Sequence, residues 1–175
     1  ILPFGFDTII KPAEGREATE VLRKWLQEER ANLTNKMARI EGKKEYGVQV
    51  FYAPARLIEK AIRESEEVRS LKEEMGSKSP GAAYMLKQKL ETAVRREMEQ
   101  EAEDRLQEFL ALIKAAVDDI CVEKNKKGDK EQVMLLNLSV LVGDDTALKV
   151  LLDEIDAQEA FSVRFTGPWP PYSFV

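Results

Sequence analysis

The chain has 175 residues, 43% of them hydrophobic and 34% charged, with a formal net charge of -5; this is enough for one domain, or one domain with a sizeable insertion, and too apolar for wholesale disorder. Lys and Arg are interleaved with Asp and Glu rather than gathered into a basic stripe, so no electrostatic footprint for nucleic acid is present. No apolar run approaches the roughly 18 residues that span a bilayer, and the absence of histidine removes the usual general base and the commonest metal ligand.

The chain opens at Ile1 without a methionine and reads as an excised domain. Leu2, Phe4, Phe6 and Thr8 alternate ahead of Ile9 and Ile10, so residues 2–10 are expected to be extended, with an early break at Pro3. From residue 13 to 40, Ala18, Leu22, Trp25, Leu26, Leu33, Met37 and Ile40 recur at helical spacing. A long amphipathic helix ended by Gly42 is expected, its stripe used for ordinary packing. "EYGVQVFY" (45–52) sets Tyr46, Val48, Val50 and Tyr52 on one face of a strand.

Pro54 opens a helix whose stripe is Leu57, Ile58, Ala61, Ile62, Val68, Leu71 and Met75, up to a corner at "GSKSPG" (76–81). Ser79 and Pro80 then start a helix reaching about Ala116, since after Gly81 no Gly or Pro interrupts the chain until Gly128. At 1.5 Å per residue it runs on the order of 55 Å, longer than a small domain is wide. Its middle, residues 95–105, offers only Met98 and Ala102 as apolar residues and is expected to stand in solvent or against a partner helix. Residues 123–131 form a solvated loop. "VMLLNLSVLV" (133–142) fits a central strand buried on both faces. Asp144 or Asp145 caps a short helix carrying Leu148, Leu151, Leu152 and Ile155, and Phe161, Val163 and Phe165 alternate in a last strand.

The order is β-α-β, a helical hairpin, then β-α-β. The expected fold is α+β: a ferredoxin-like antiparallel sheet with two helices on one face, plus a long inserted helical hairpin arm. The corresponding division is residues 1–52 and 120–175 for the sheet domain and 53–119 for the arm.

Chemistry-bearing motifs are absent. No phosphate loop, dinucleotide fingerprint, CxxC pair or HExxH occurs, and no catalytic, cofactor-binding or metal residue is nominated. Asp118 with Asp119 and Asp144 with Asp145 read as capping or solvated pairs. Cys121, the single cysteine, lies between Ile120 and Val122 as a small buried hydrophobe. The tripeptides "NLT" at Asn32 and "NLS" at Asn137 fall on a helix and a core strand and read as accidental sequons.

The closing stretch "VRFTGPWPPYSFV" (163–175) holds three of the seven prolines. Pro168 lacks an amide donor and fixes φ, so the last strand is expected to stop at Gly167, and Pro170 and Pro171 favour polyproline II beyond it. Pro168, Trp169, Pro170, Pro171, Tyr172 and Phe174 are the candidate interaction residues. Two readings stand: the aromatics clamp this protein's own sheet, or they face a partner, as exposed aromatic clusters at interfaces do.

"TGPWPPYSFV" (166–175) resembles the C-terminal motif of the gas vesicle accessory proteins GvpF and GvpL. "LPFGFDTII" resembles that family's Leu-Pro-x-x-Phe-Gly-Thr segment, and "EYGVQVFY" its Glu-Trp-Gly-Val-Lys-Val-Tyr strand. "SPGAAYMLKQK" is similar to its Ser-x-Gly-x-x-Tyr-Leu-x-x-Lys helix start, and "LNLSVLV" to its Leu-Asn-x-x-Phe-Leu-Val strand. Asp7 stands where the family has Gly, and Tyr46 where it has Trp. The resemblance implies a further N-terminal domain ahead of the Leu-Pro segment and a cytoplasmic, non-enzymatic role at the gas vesicle. It implies a minor structural component or chaperone that binds the hydrophobic shell protein and other accessory proteins, without cofactor or small-molecule substrate. The rival readings are a ferredoxin-like regulatory module that binds a small metabolite and a helical scaffold that self-associates.

Overall fold

Alternating β-branched and aromatic residues make β1 (Lys44–Tyr52) a strand with one face on which Tyr46, Val48 and Val50 are buried. The structure is a computed structural model and describes residues 2–4, 9–12, 15, 17–77, 79–126 and 131–175. Two helices precede β1, α1 (Ala18–Glu28) and α2 (Arg30–Ile40). After it come α3 (Pro54–Glu64), α4 (Glu66–Gly76), α5 (Pro80–Ala115), β2 (Asp119–Val122), β3 (Val133–Val142), α6 (Thr146–Asp156) and β4 (Phe161–Trp169). A single 3-10 turn, Tyr172–Phe174, follows.

The strands form one sheet in the order β2-β3-β1-β4, every neighbouring pair antiparallel. With α3–α5 linking β1 to β2 and α6 linking β3 to β4, this is the ferredoxin-like α+β arrangement, with α5 and α6 on one face and a long helical hairpin inserted. The first βα unit, however, is not residues 2–10 followed by 13–40, as patterning predicts. Residues 2–4 and 9–12 are outside any strand, and residues 5–8 of that predicted segment lie outside the described residues. β1 takes the first place, the hairpin supplies the crossover helix, and β2 completes the sheet. β2 escapes sequence reading because four residues are too few to establish an alternation.

Two long helices predicted as continuous are divided. Residues 13–40 break at Glu29 (φ -87°, ψ 1°) with no Gly or Pro to mark it; residues 13, 14 and 16 lie outside the described part. The second break does have a local cause. Ser65 turns extended (ψ 122°) and its Oγ accepts from the Val68 amide at 3.4 Å, while Glu66 and Glu67 occupy the first turn of α4.

At 36 residues, α5 is about 54 Å long and its two halves live in different surroundings. Its first half packs on α3 and α4, burying Leu86 and Ala93 against a hairpin that also buries Val68. In the second half, Ala102, Phe109 and Ile113 enter the main core with Leu57 of α3, Leu136, Leu138, Val140 and Val142 of β3, and Leu148, Leu152 and Ile155 of α6. Phe109 meets Phe161 edge to face, centroids 5.2 Å apart. The middle of α5 is therefore not left to solvent. Met98 and Ala102 pack against the core, and Glu101 joins Lys60 of α3 at 2.8 Å and Arg105 at 2.9 Å. Residues 53–119 thus hold both a projecting hairpin and a core helix.

The opposite sheet face is covered only at one end. There Ile40 of α2, Leu141 of β3 and Phe174 form a second buried cluster, with Leu2, Cys121 and Val175 packed around it. β3 is accordingly buried on both faces at that end.

Candidate interaction surface at the closing segment

The proline-rich ending does not stop the last strand at Gly167. β4 pairs with β1 through Trp169, with Thr166 opposite Gly47 and Trp169 opposite Glu45, and a bulge between those pairs absorbs Gly167 and Pro168. β4 lies at the sheet edge, where a proline without an amide proton interrupts no ladder on its outer side. Gly167 takes φ +119°, and a Cβ there would sit 3.0 Å from both the Glu45 carbonyl oxygen and Tyr46 Cδ1. Gly167→Ala is expected to destabilise the fold by about 2 kcal/mol through backbone strain and this close approach; a denaturant midpoint equal to wild type would contradict it.

Beyond the bulge the chain turns instead of continuing as polyproline II. The Tyr172 amide donates to the Pro170 carbonyl at 2.8 Å, opening the 3-10 turn that carries Tyr172, Ser173 and Phe174. Two polar fastenings hold it. The buried carboxylate of Glu45 accepts from the Ser173 amide at 2.9 Å and from Ser173 Oγ at 2.7 Å. Arg39 of α2 donates to the Phe174 carbonyl at 3.5 Å and places its guanidinium 5.9 Å from the centroid of the Phe174 ring. Arg39 Nε also donates to Asp119 Oδ2 at 2.9 Å, and this bond foremost holds the Asp119 carboxyl below its ordinary value.

The two readings of the aromatics are thereby divided among them. Phe174 is 4% exposed and acts as the clamp, whereas Trp169 (55%) and Tyr172 (56%) stand in solvent. Pro168 and Pro170 are exposed, and Pro171 is half-buried. All six candidate residues thus lie on one short segment but in opposite senses, one inward and the others wholly or partly outward.

The outward side adjoins apolar residues assigned by patterning to internal packing. A cleft of about 370 Å³ is lined by Leu2, Phe4, Trp25, Leu33, Tyr172 and Val175, among others. Beside it, Met37, Ile40 and Pro171 line a second cleft of about 320 Å³. Trp25 touches Phe4 edge to face at 6.1 Å yet stays 37% exposed, Met37 is 49% exposed, and α1 buries none of its residues. The sequence signal was the stripe on residues 13–40; of its two helices only α2 buries a residue, Ile40, in the second cluster.

Several acidic side chains away from this segment fasten loops and strands. Asp144 Oδ1 accepts from the Thr146 amide at 3.0 Å, Asp118 Oδ2 from the Gly143 amide at 2.9 Å, and Asp145 from the Tyr46 hydroxyl. That bond, with burial and the Asp145 charge, pushes the Tyr46 phenol up to about 12. Tyr46 also stacks on Phe165 at 4.8 Å. Cys121 is half-buried beside the second cluster, and burial pushes its thiol up, away from reactivity. Among the described residues no cluster of three or more acidic or sulfur ligands could hold a metal, and no helix is long and apolar enough to cross a membrane.

Comparison with known proteins places this geometry in context. A family model described as gas vesicle synthesis protein GvpL/GvpF matches residues 1–175. Gas vesicle protein L of Haloferax mediterranei is 29% identical over 185 residues, an alignment covering 99% of this chain and 55% of that protein. Gas vesicle protein L1 of Halobacterium salinarum is 26% identical over 181 residues, covering 99% and 63%. The chain therefore spans a little over half the length of these relatives. In fold it is similar to the crystal structures of gas vesicle protein GvpF from Anabaena sp. PCC7120 (TM-score 0.64, 16% identity, 99% of this chain and 68% of that one) and from Microcystis aeruginosa (TM-score 0.57, 15% identity, 99% and 69%). With the family model matching from end to end, the chain belongs to the gas vesicle synthesis protein GvpL/GvpF family.

Proposed function

We propose that this chain acts in gas vesicle assembly without catalysing a reaction. It would serve as a minor structural component or chaperone that binds the hydrophobic gas vesicle shell protein and other accessory proteins, in the cytoplasm and at the vesicle. Family membership supports the assembly role. The observation that carries the binding reading is the pairing of a fastened base with exposed aromatics. Phe174, Ser173 and Arg39 fix the closing segment, so Trp169 and Tyr172 are presented without further ordering on contact. Aromatic anchors of this kind, with Tyr172 lining a cleft beside Trp25 and Pro171 one beside Met37, suit an apolar protein partner better than a metabolite, which calls for a concave site with convergent polar groups. In this reading residues 1–52 and 120–175 form the sheet domain and 53–119 an arm rooted in its core.

The test is complementation of a vesicle-forming host that lacks its own copy of this protein. The double variant Trp169→Ala, Tyr172→Ala is expected to keep the wild-type melting temperature, to lose co-purification with shell protein, and to reduce vesicle number several-fold. Wild-type vesicles and undiminished co-purification would remove the closing segment as a contact site.

A further inference from the structure

The projecting half of the hairpin leaves an apolar groove uncovered, on a different part of the molecule from the closing segment. It measures about 420 Å³ and is lined by Ile58 and Ile62 of α3 and Leu90, Val94 and Met98 of α5, together with Glu91 and Arg95. Leu90, Val94 and Met98 recur every four residues and form one stripe along the helix; Glu91 and Arg95 repeat the same spacing one residue further round, on a common flank. Along that flank the charge runs negative, then positive. Glu91 stands 4.0 Å from Lys87 in a solvent-exposed pair, and Arg95 makes no ion pair among the described residues.

Such a flank complements itself only on reversal. A two-fold axis perpendicular to α5 inverts the helix direction in a second molecule while laying stripe upon stripe. Centred at the level of Ala93, it sets Glu91 opposite Arg95 of the second copy and Arg95 opposite Glu91 of the second copy. We propose that two copies of this chain pair arm against arm through this groove, antiparallel about that axis. Apolar burial of Ile62, Leu90, Val94 and Met98 supplies the attraction, and the two charge pairs fix direction and register. The inference stands apart from the proposed function: it needs neither the shell protein nor the closing aromatics.

Sedimentation equilibrium on the 175-residue chain tests it. The wild type is expected to show a reversible monomer–dimer equilibrium. Glu91→Arg or Arg95→Glu alone should raise the dimer Kd by about tenfold, since each places like charges opposite one another twice. The exchange E91R/R95E should restore the wild-type Kd, because the axis then opposes the swapped charges correctly. Val94→Asp should abolish the dimer while leaving the circular dichroism melt cooperative. A wild type that stays monomeric at every loading, a dimer indifferent to Val94→Asp, or an exchange variant no better than the single variants would each overturn the proposal.

Discussion

Phe109→Ala is expected to lower the unfolding free energy by about 4 kcal/mol, near the middle of the range for a buried phenylalanine. Phe109 has no exposed surface, meets Phe161 edge to face at 5.2 Å and sits where α5, α6 and the sheet converge. Little can collapse into the space it would leave, because Leu57, Ile113 and Leu148 are themselves fixed in the same cluster. Tyr84→Ala and Met85→Ala, on the far half of the same helix and 64% and 65% exposed, should stay within about 0.5 kcal/mol of wild type. Urea denaturation checks both, with the midpoint moving at constant slope. The contrast measures how α5 is divided: a mild Phe109→Ala would mean that the helix hangs from the sheet rather than completing it. Against a total stability of roughly 5–15 kcal/mol, a loss of this size leaves a marginal fold.

The closing segment yields the second large effect. Phe174→Ala is expected to be destabilising by about 3 kcal/mol, at the lower edge of the buried-phenylalanine range because its cluster is small and near the surface. Trp169→Ala and Tyr172→Ala, five and two residues before Phe174 but open to solvent, should each remain within about 0.5 kcal/mol. Thermal or urea melts of the three variants decide the matter. Equal losses would mean that all three rings are packed as one clamp, and a silent Phe174→Ala would remove the anchor on which the presentation of Trp169 and Tyr172 depends.

Much of this was readable from local pattern. The alternation in 45–52 and 161–165, the continuous apolar run 133–142 and the uninterrupted stretch from Pro80 each match an observed element. Each carries a local mark that constrains the backbone: a period-two alternation, a continuous apolar run, or a proline at a helix start. The break at Ser65 was missed, because the apolar stripe runs on through it; the local cause, a serine followed by two glutamates, competes with that stripe. β2 was missed as well. Asp119 to Val122 becomes a strand because β3 offers it a free edge, with Ile120 opposite Val140 and Cys121 opposite Ser139. Nothing within the four residues requires it.

The candidate site divides in the same way. The sequence by itself determined that the chain ends in conformationally restricted, aromatic material, that it carries none of the usual catalytic motifs, and that a helical hairpin longer than the domain lies between its strands. All of that follows from residue type and spacing. Only the tertiary structure decided which way each ring faces. Phe174 turns inward because Glu45, buried in the sheet, accepts from Ser173, and because Arg39, contributed by a helix 135 residues earlier, reaches its carbonyl. With the turn so fastened, Trp169 and Tyr172 remain open to solvent. Side-chain direction at such a place is set by long-range partners, and spacing along the chain carries no information about them.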